Sequence, residues 1–288
     1  MDSQSSNSQS SNSQPSNSQS SSGSWFLQLS LPGTAAMPIV IRAADGDHPV
    51  IMGDLSQNVM NVDGSYFTFR GLEITGGSHG IRLGPMNVDH ATIEDCHFHD
   101  LGDVAVSCNF DGVDCGYVTI RHNEIHATGN DGGTGEGMYL GCNDGACVFH
   151  DGVVERNYVH DTGGSQGDGI EIKTGAYGNV VRDNVIIRTM YPGITMYGFL
   201  DAPGHAVNVV ERNLVWHSMD NGIQTVGQIV VRNNVVLDAA AGGIATKASQ
   251  GFSPHDITIV NNTVVGTGDC IHENDWDVGT NEAVIDNA

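Results

Sequence analysis

The chain has 288 residues, enough for one elongated domain or two ordinary ones. Its 34 acidic residues against 11 basic ones give a net charge of −23, which leaves nothing to neutralise phosphates and excludes nucleic acid as a partner. A polyanion could be held only through a bridging cation or a local basic spot, and no apolar run approaches the roughly 20 residues of a membrane span.

Residues 3–24 are Ser, Gln and Asn, broken only by Pro15 and Gly23. Such a tract has no apolar surface to bury, so residues 1–24 read as a disordered linker or tether. No apolar signal segment separates Met1 from the tract, which reads as a mature or engineered start. Trp25-Phe26-Leu27-Gln28-Leu29 opens the folded domain, taken as 25–288.

From there the chain repeats. Aligned on Arg/Glu-x-Asn, the residues Leu72, Cys96, Asn123, Asn157, Asn184, Asn213, Asn234 and Asn262 share one position, 21 to 34 residues apart. An irregular period of this size, with β-branched residues and glycine-rich connections, predicts a solenoid of strands. With the aligned position as zero, positions −5 and −3 are mostly apolar: Phe67 and Phe69, Val118 and Ile120, Ile229 and Val231, Ile257 and Ile259. Position +2 is apolar as well, from Ile74 to Val264. The change of phase between them demands a bend at the Asn, which is expected to take unusual backbone angles and to hydrogen-bond its own copy one rung away. Position −2 alternates in sign: Arg70, Glu94, Arg121, Glu155, Arg182, Glu211, Arg232. Parallel stacking sets equivalent residues roughly 4.8 Å apart, so each Arg is expected between two Glu, in exposed pairs worth ~0–1 kcal/mol each. These arginines are assigned to structure rather than chemistry.

A second strand recurs in each rung: Gly80-Ile81-Arg82-Leu83, Gly137-Met138-Tyr139-Leu140, Gly169-Ile170-Glu171-Ile172, Gly193-Ile194-Thr195-Met196, Gly222-Ile223-Gln224-Thr225 and their equivalents through Cys270-Ile271-His272-Glu273. The fold class expected is all-β: a single-stranded parallel β-helix of about nine to ten rungs with three short strands each. Val284-Ile285-Asp286-Asn287-Ala288 starts a further rung and reads as one cut short. Of the six cysteines, Cys108 with Cys115 and Cys142 with Cys147 bracket short Asp/Gly loops and are expected to form local disulfides in an oxidising compartment. Cys96 and Cys270 are left as free, buried thiols.

This pattern resembles the right-handed parallel β-helix repeat proteins of the pectate-lyase-like superfamily over about residues 25–288. The residues that carry it are the Val-x-Arg/Glu-x-Asn-x-Val/Ile units, Gly135-Glu136-Gly137-Met138-Tyr139-Leu140-Gly141 and Asp168-Gly169-Ile170-Glu171-Ile172-Lys173. The resemblance implies right-handedness and a carbohydrate-active protein, a polysaccharide being the partner. It does not choose among lyases, glycosidases, epimerases and proteins without activity. Signatures of particular branches are missing. There is no Arg-x-Pro-x-x-Arg, Gly204-His205-Ala206 stands where a polygalacturonase has Gly-His-Gly, and Ser253-Pro254-His255 lacks the acid of an epimerase Asp-Pro-His.

Outward positions of the second strand form columns. One reads Arg82, Ser107, Tyr139, Glu171, Thr195, Gln224, Ala245, His272, and the next Gly84, Asn109, Gly141, Lys173, Tyr197, Val226, Lys247, Asn274. With Glu136 and Asp168 just before their strands, a cluster over three rungs is expected on one outer face. It has what β-elimination from a uronate requires: a cation to acidify the α-proton, a base and an acid. Glu136, Asp168 and Glu171 are the candidate Ca²⁺ ligands. Lys173 or Tyr139 is the candidate base, Glu171 a further catalytic candidate, and Tyr197 the acid or a substrate platform. Arg82, Thr195, Gln224 and Lys247 are candidate substrate contacts. The plainer alternative pairs Lys173 with Glu171 or Asp168 on a solvated face. A second candidate is a run of His99, His126 and His160 with His97 and Glu124 beside it, which could bind a transition metal were the imidazoles not held side by side by a flat strand face.

The leading expectation is a secreted or cell-surface-tethered, monomeric polysaccharide lyase acting on an acidic, uronate-containing glycan. A glycoside hydrolase on two of the three carboxylates and a non-catalytic carbohydrate-binding or structural β-helix are the alternatives.

Overall fold

The computed structural model describes residues 25–198, 204–276 and 281–288; the expected linker, 1–24, lies outside them. All described regular elements are strands, arranged in three sheets. The first sheet runs through ten strands from Trp25–Pro32 to Asp269–Glu273, with two short extra strands beside its path. The second has ten, from Ile39–Arg42 to Ala283–Ile285, and the third nine, from Val50–Met52 to Thr263–Val265. Neighbouring strands are parallel and come from successive rungs, as Ile170–Thr174 beside Ile194–Gly198 and Val180–Arg182 beside Asn208–Glu211. This is the expected parallel β-helix with three strands per rung. The inward residues of all three sheets make one continuous apolar core. No described helix is long and apolar enough to cross a membrane.

The aligned asparagines form the expected interior ladder. Asn157 Nδ2 donates to Asn184 Oδ1 (3.0 Å) and to Ile120 O (2.9 Å), and Asn184 Nδ2 donates to Asn213 Oδ1 (2.9 Å) and Val154 O (3.0 Å). Each Oδ1 also accepts the backbone N–H of the preceding ladder residue, as Asn157 N to Asn184 Oδ1 at 2.9 Å. Every amide is thus satisfied in a buried position. The ladder runs from Asn123 to Asn287, one rung past the expected end. A second pair, Asn179 Nδ2 to Asn208 Oδ1 (3.1 Å), stacks in the same way at another corner. It was hidden among the apolar −5 positions.

The bend is made differently from expectation. The left-handed residue is not the ladder Asn but the one before it: Asp95, His122, Arg156, Asp183, Arg212, Asn233 and Asn261 have φ between 53° and 56°. A second left-handed set, at +4, includes Ala127 (φ 51°), Asp161 and Arg188, and a third, at −6, includes Tyr66, His90 and Tyr117. Each such residue strains the backbone by roughly 1–2 kcal/mol if it is not glycine. The ladder and the strand pairing offset that strain.

The charged column is also arranged differently. Glu94 binds Arg70 and Arg121 (Nε to Oε2, 2.7 Å), but Glu155 binds Arg182 (2.7 Å) and its own neighbour Arg156, and Glu211 binds Arg232 and Arg212. Arg121 and Arg182 therefore each pair with one Glu only. The cause is the left-handed corner, which swings Arg156 and Arg212 beside the glutamate that precedes them. The three glutamates are buried while their arginines stay partly exposed. The disulfides Cys108–Cys115 and Cys142–Cys147 are formed. Cys96 is free and buried as expected, its thiol pushed up to about 11 by burial. Cys270 is free but exposed, on Asp269–Glu273, the last described strand of the first sheet.

Two substitutions separate ladder from corner. Asn234→Ala takes the partner from Asn213 Nδ2, the Asn213 N–H and Val210 O on the rung before and one of two donors from Asn262 Oδ1 on the rung after, and is expected to lower urea stability by about 3–5 kcal/mol. Ala127→Gly relieves a left-handed alanine and is expected to raise stability by about 0.5–1 kcal/mol, the reverse of the usual effect of glycine. A destabilised Ala127→Gly, or a neutral Asn234→Ala, contradicts this division of roles.

Candidate functional site

Parallel pairing sets the outer columns of the first sheet as the repeat requires. Arg82 faces Ser107, Ser107 faces Tyr139, Tyr139 faces Glu171, Glu171 faces Thr195, and Thr195 faces Gln224. The middle of this face brings Glu136, Tyr139, Asp168, Glu171, Lys173, Thr195 and Tyr197 together. Carboxylate oxygens of Glu136, Asp168 and Glu171 all lie within 4.8 Å of one another. Lys173 Nζ is bonded to Glu171 Oε1 and lies 4.3 Å from the centroid of the Tyr139 ring and 5.3 Å from that of Tyr197. Thr195 Oγ1 donates to Asp168 Oδ1 (2.5 Å), and Tyr139 OH donates to Asn143 Oδ1 (3.1 Å). Gly141 is the neighbour of Lys173 in its column. It has φ +97°, and a Cβ there would stand 3.1 Å from that of Lys173, so glycine makes room for the lysine.

The face is outward but not solvated. Glu136 is 0 % exposed and Asp168, Glu171 and Lys173 are each 3 % exposed, while Tyr139 and Tyr197 are half-buried. The loops before the strands interlock, with Gln166 N donating to Thr134 O (2.8 Å) and Thr162 Oγ1 to Gly167 O (2.5 Å). The ion pair of Lys173 with Glu171 is therefore formed, but in the interior rather than on a solvated face.

Burial dominates the electrostatics. Three carboxylates and one ammonium sum to −2 when all are ionised, a charge that a dry site does not tolerate. Burial, with Glu171 nearby, pushes Glu136 up to about 8 and raises Asp168 well above the usual carboxylate range. For Lys173, burial works against the charged form, but Glu171 and the two phenols outweigh it and the amine titrates above the ordinary lysine range. Burial also raises Tyr139, and it pushes Tyr197 up to about 12. Glu136 Oε1 and Glu171 Oε2 are buried without a hydrogen-bond partner. Two orphaned carboxylate oxygens among three clustered acids suit a hard cation with oxygen ligands, so Ca²⁺ fits the donor set.

The other expected contacts lie apart. Arg82, three rungs from Glu171, is locked to Asn109 (Nε to Oδ1, 2.7 Å) and lies over the Phe110 ring, and burial lowers it to about 10. Gln224 adjoins Thr195 but accepts from Asn221 Nδ2 (3.1 Å). Lys247 is half-buried three rungs beyond Lys173, with no contact to the cluster. Sequence reasoning missed a half-buried relay: Thr134 Oγ1 donates to Glu136 Oε2 (2.6 Å), and Thr134 N (2.7 Å) and Gly135 N donate to Asp103 Oδ1. The Asp103 carboxylate lies near His79 Nε2 (3.4 Å) and is held down to about 2: burial opposes ionisation, but His79, Thr134 and Gly135 outweigh it. The column one residue before the strand contains His79, Glu136, Asp168 and Asn221, so the alignment held a signal for His79.

A family profile described as "Right handed beta helix region" matches residues 57–200. A search of curated proteins found no match. Among solved structures, an alginate lyase from Paenibacillus sp. str. FPU-7 superposes with a TM-score of 0.67 at 23% identity, covering 86% of both chains. Pectate lyase Pel9A gives 0.59 at 15% identity, over 88% of this chain and 66% of that one. The Dettilon tailspike protein gives 0.51 at 14% identity, over 91% and 61%. At these identities the likeness speaks to the fold, and with the profile covering half of the sequence the chain belongs to the right-handed β-helix family.

Proposed function

We propose that the protein is a polysaccharide lyase that cleaves a uronate-containing glycan by β-elimination at the Lys173 cluster. The observation that carries this reading is the convergence of one buried lysine, two tyrosines and three acids on one outer face. Paired acids alone would favour a hydrolase, and a flat ion-paired face a binder. Acid oxygens within 4.8 Å of one another are nearer the roughly 5–5.5 Å of a retaining glycosidase pair than the roughly 6.5–9.5 Å of an inverting one, so the lysine and the two tyrosines, not the spacing, favour the lyase. The two local disulfides support a secreted or cell-surface setting.

Lys173 stays protonated and acts as the cation that faces the substrate carboxylate, which acidifies the α-proton. That assignment removes it from the role of base. Tyr139 takes the proton, the bond to the leaving oxygen breaks as the double bond forms, and Tyr197 protonates that oxygen. Burial above all, and then the carboxylates of Glu171 and Glu136, hold the Tyr139 phenol protonated, and Lys173 opposes them. Neutralising those acids lifts the carboxylate share of that bias, and opening the site to substrate and water lifts part of the burial, which together ready Tyr139 as a base. Glu136, Asp168 and Glu171 would hold Ca²⁺, whose charge would both neutralise them and reinforce the pull of Lys173 on the uronate. Access to Lys173 requires the two rings over it to part.

Ultraviolet absorbance of unsaturated uronate, on alginate, pectic and glycosaminoglycan substrates with Ca²⁺ or chelator, tests the activity. Tyr139→Phe and Lys173→Met are each expected to lower the rate by at least about 100-fold with the fold intact by circular dichroism. No product and no new reducing ends from the wild type, or an unimpaired Lys173→Met, contradicts the proposal. A second test uses pH. The raised carboxyl pKa of Glu136 means the folded state keeps a proton that the unfolded chain loses. Its contribution to stability is full below about pH 4.5 and is lost as the pH rises through about 8. Saturating Ca²⁺ is expected to raise Tm by about 5 °C near pH 8 and by much less near pH 5, with Glu136→Gln losing most of the response. An equal rise at both pH values, unchanged in Glu136→Gln, contradicts the assignment.

A further inference from the structure

The outer face of the third sheet, away from the Lys173 cluster, carries a second constellation. Glu73, His97 and Glu124 form one column, and Thr75, His99, His126 and His160 the adjacent one. A flat strand face is expected to hold imidazoles side by side, and His99 with His126, and His126 with His160, do stack at 12° and 14°. His97 departs from this. Its ring tilts by 35° to that of His126, and the two Nε2 atoms meet at 2.9 Å across adjacent rungs. Ligands about 2.0–2.1 Å from a tetrahedral zinc stand ~3.3 Å apart, so the pair already has nearly the spacing of two ligands on one ion.

We propose that His97, His126 and Glu124 bind one divalent transition ion of the zinc class, bridging two rungs of the third sheet. A carboxylate oxygen of Glu124 and the two ring nitrogens all lie within 4.8 Å of one another. Two imidazoles and a carboxylate are a borderline donor set that favours zinc-like ions over calcium. The surroundings are those of a supported site. His160 Nε2 lies 3.3 Å from Glu124 Oε1 and orients that carboxylate, while its own Nδ1 is 2.6 Å from Asp161 Oδ2, which two bonds from Arg188 hold in place. On the other side, Glu73, His97 and His99 form a second triad, with His99 Nε2 3.2 Å from Glu73 Oε1. The two triads share His97, and its Nε2 is the atom that faces His126, so the proposed site takes one ion. Without a metal, the contact between His97 and His126 is an N–H···N hydrogen bond. The ion displaces that shared proton to a ring Nδ1 or to water.

The test is titration of the full chain with Zn²⁺ against a chromogenic chelator at about pH 7.5, with Co²⁺ loading read by its visible absorption. One equivalent is expected to bind, Co²⁺ is expected to give the intense bands of a tetrahedral site, and His97→Gln and His126→Gln are each expected to weaken binding by at least about tenfold. His255→Gln, which removes an imidazole beside Asp256 from the second sheet, is expected to leave binding unchanged. Wild-type protein that takes up no zinc at micromolar concentration, or binding equal in wild type and His97→Gln, overturns the proposal. Should a variant fail to fold, histidine resonances of the wild type decide: those of His97 and His126 must shift with one equivalent of Zn²⁺.

Discussion

Parallel stacking at ~4.8 Å is the constraint on which the rest depends. It turns each position of the repeat into a column of neighbours, so a residue type must be compatible with its own copies above and below. Asparagine meets that demand inside the coil, because its amide both donates and accepts, and a column of asparagines satisfies itself. Aspartate, glutamate and histidine do not. Wherever the repeat stacks those, the column must find counter-charges, protons or a cation. The Arg/Glu column, the acid cluster of the first sheet and the imidazoles of the third are three answers to one problem.

The answers differ with burial. The glutamates of the second sheet are buried, but each has two guanidinium partners that reach solvent; at Glu94 and Glu211 burial opposes ionisation, and the guanidiniums outweigh it and hold the carboxyls below the usual range. Glu136, Asp168 and Glu171 share a single ammonium in a closed space, so two of them are driven toward the protonated state. That poise links the stability of the site to pH. The frame holds it firmly: three left-handed corners in a rung fix the strands, and the ladder locks one corner to the next. A site on such strands is positioned by backbone pairing rather than by loops.

Much of this was legible in the repeat. Alignment on the asparagine recovered the three strands, the ladder and the outer column from Arg82 to His272 in correct register. It recovered the cluster around Lys173 for the same reason, since register places outer residues as surely as inner ones. What it missed is not carried by a repeating residue type. The left-handed residue at −1 is Asp, His, Arg or Asn by turns, so no residue type marks it. Closure of the Lys173 face depends on loops of unequal length around residues 128–135 and 161–167. The links from Asp103 through Thr134 to Glu136 and the tilt of His97 depend on rotamers, which a column of letters does not carry.

The most direct measurement is a crystal structure of the protein with Ca²⁺ and an oligouronate, taken with Tyr139→Phe to halt turnover. The predicted result is a metal among Glu136, Asp168 and Glu171, with a uronate carboxylate beside Lys173 under parted Tyr139 and Tyr197 side chains. A cluster that stays closed and metal-free, with the glycan bound to another sheet or not at all, would contradict the account.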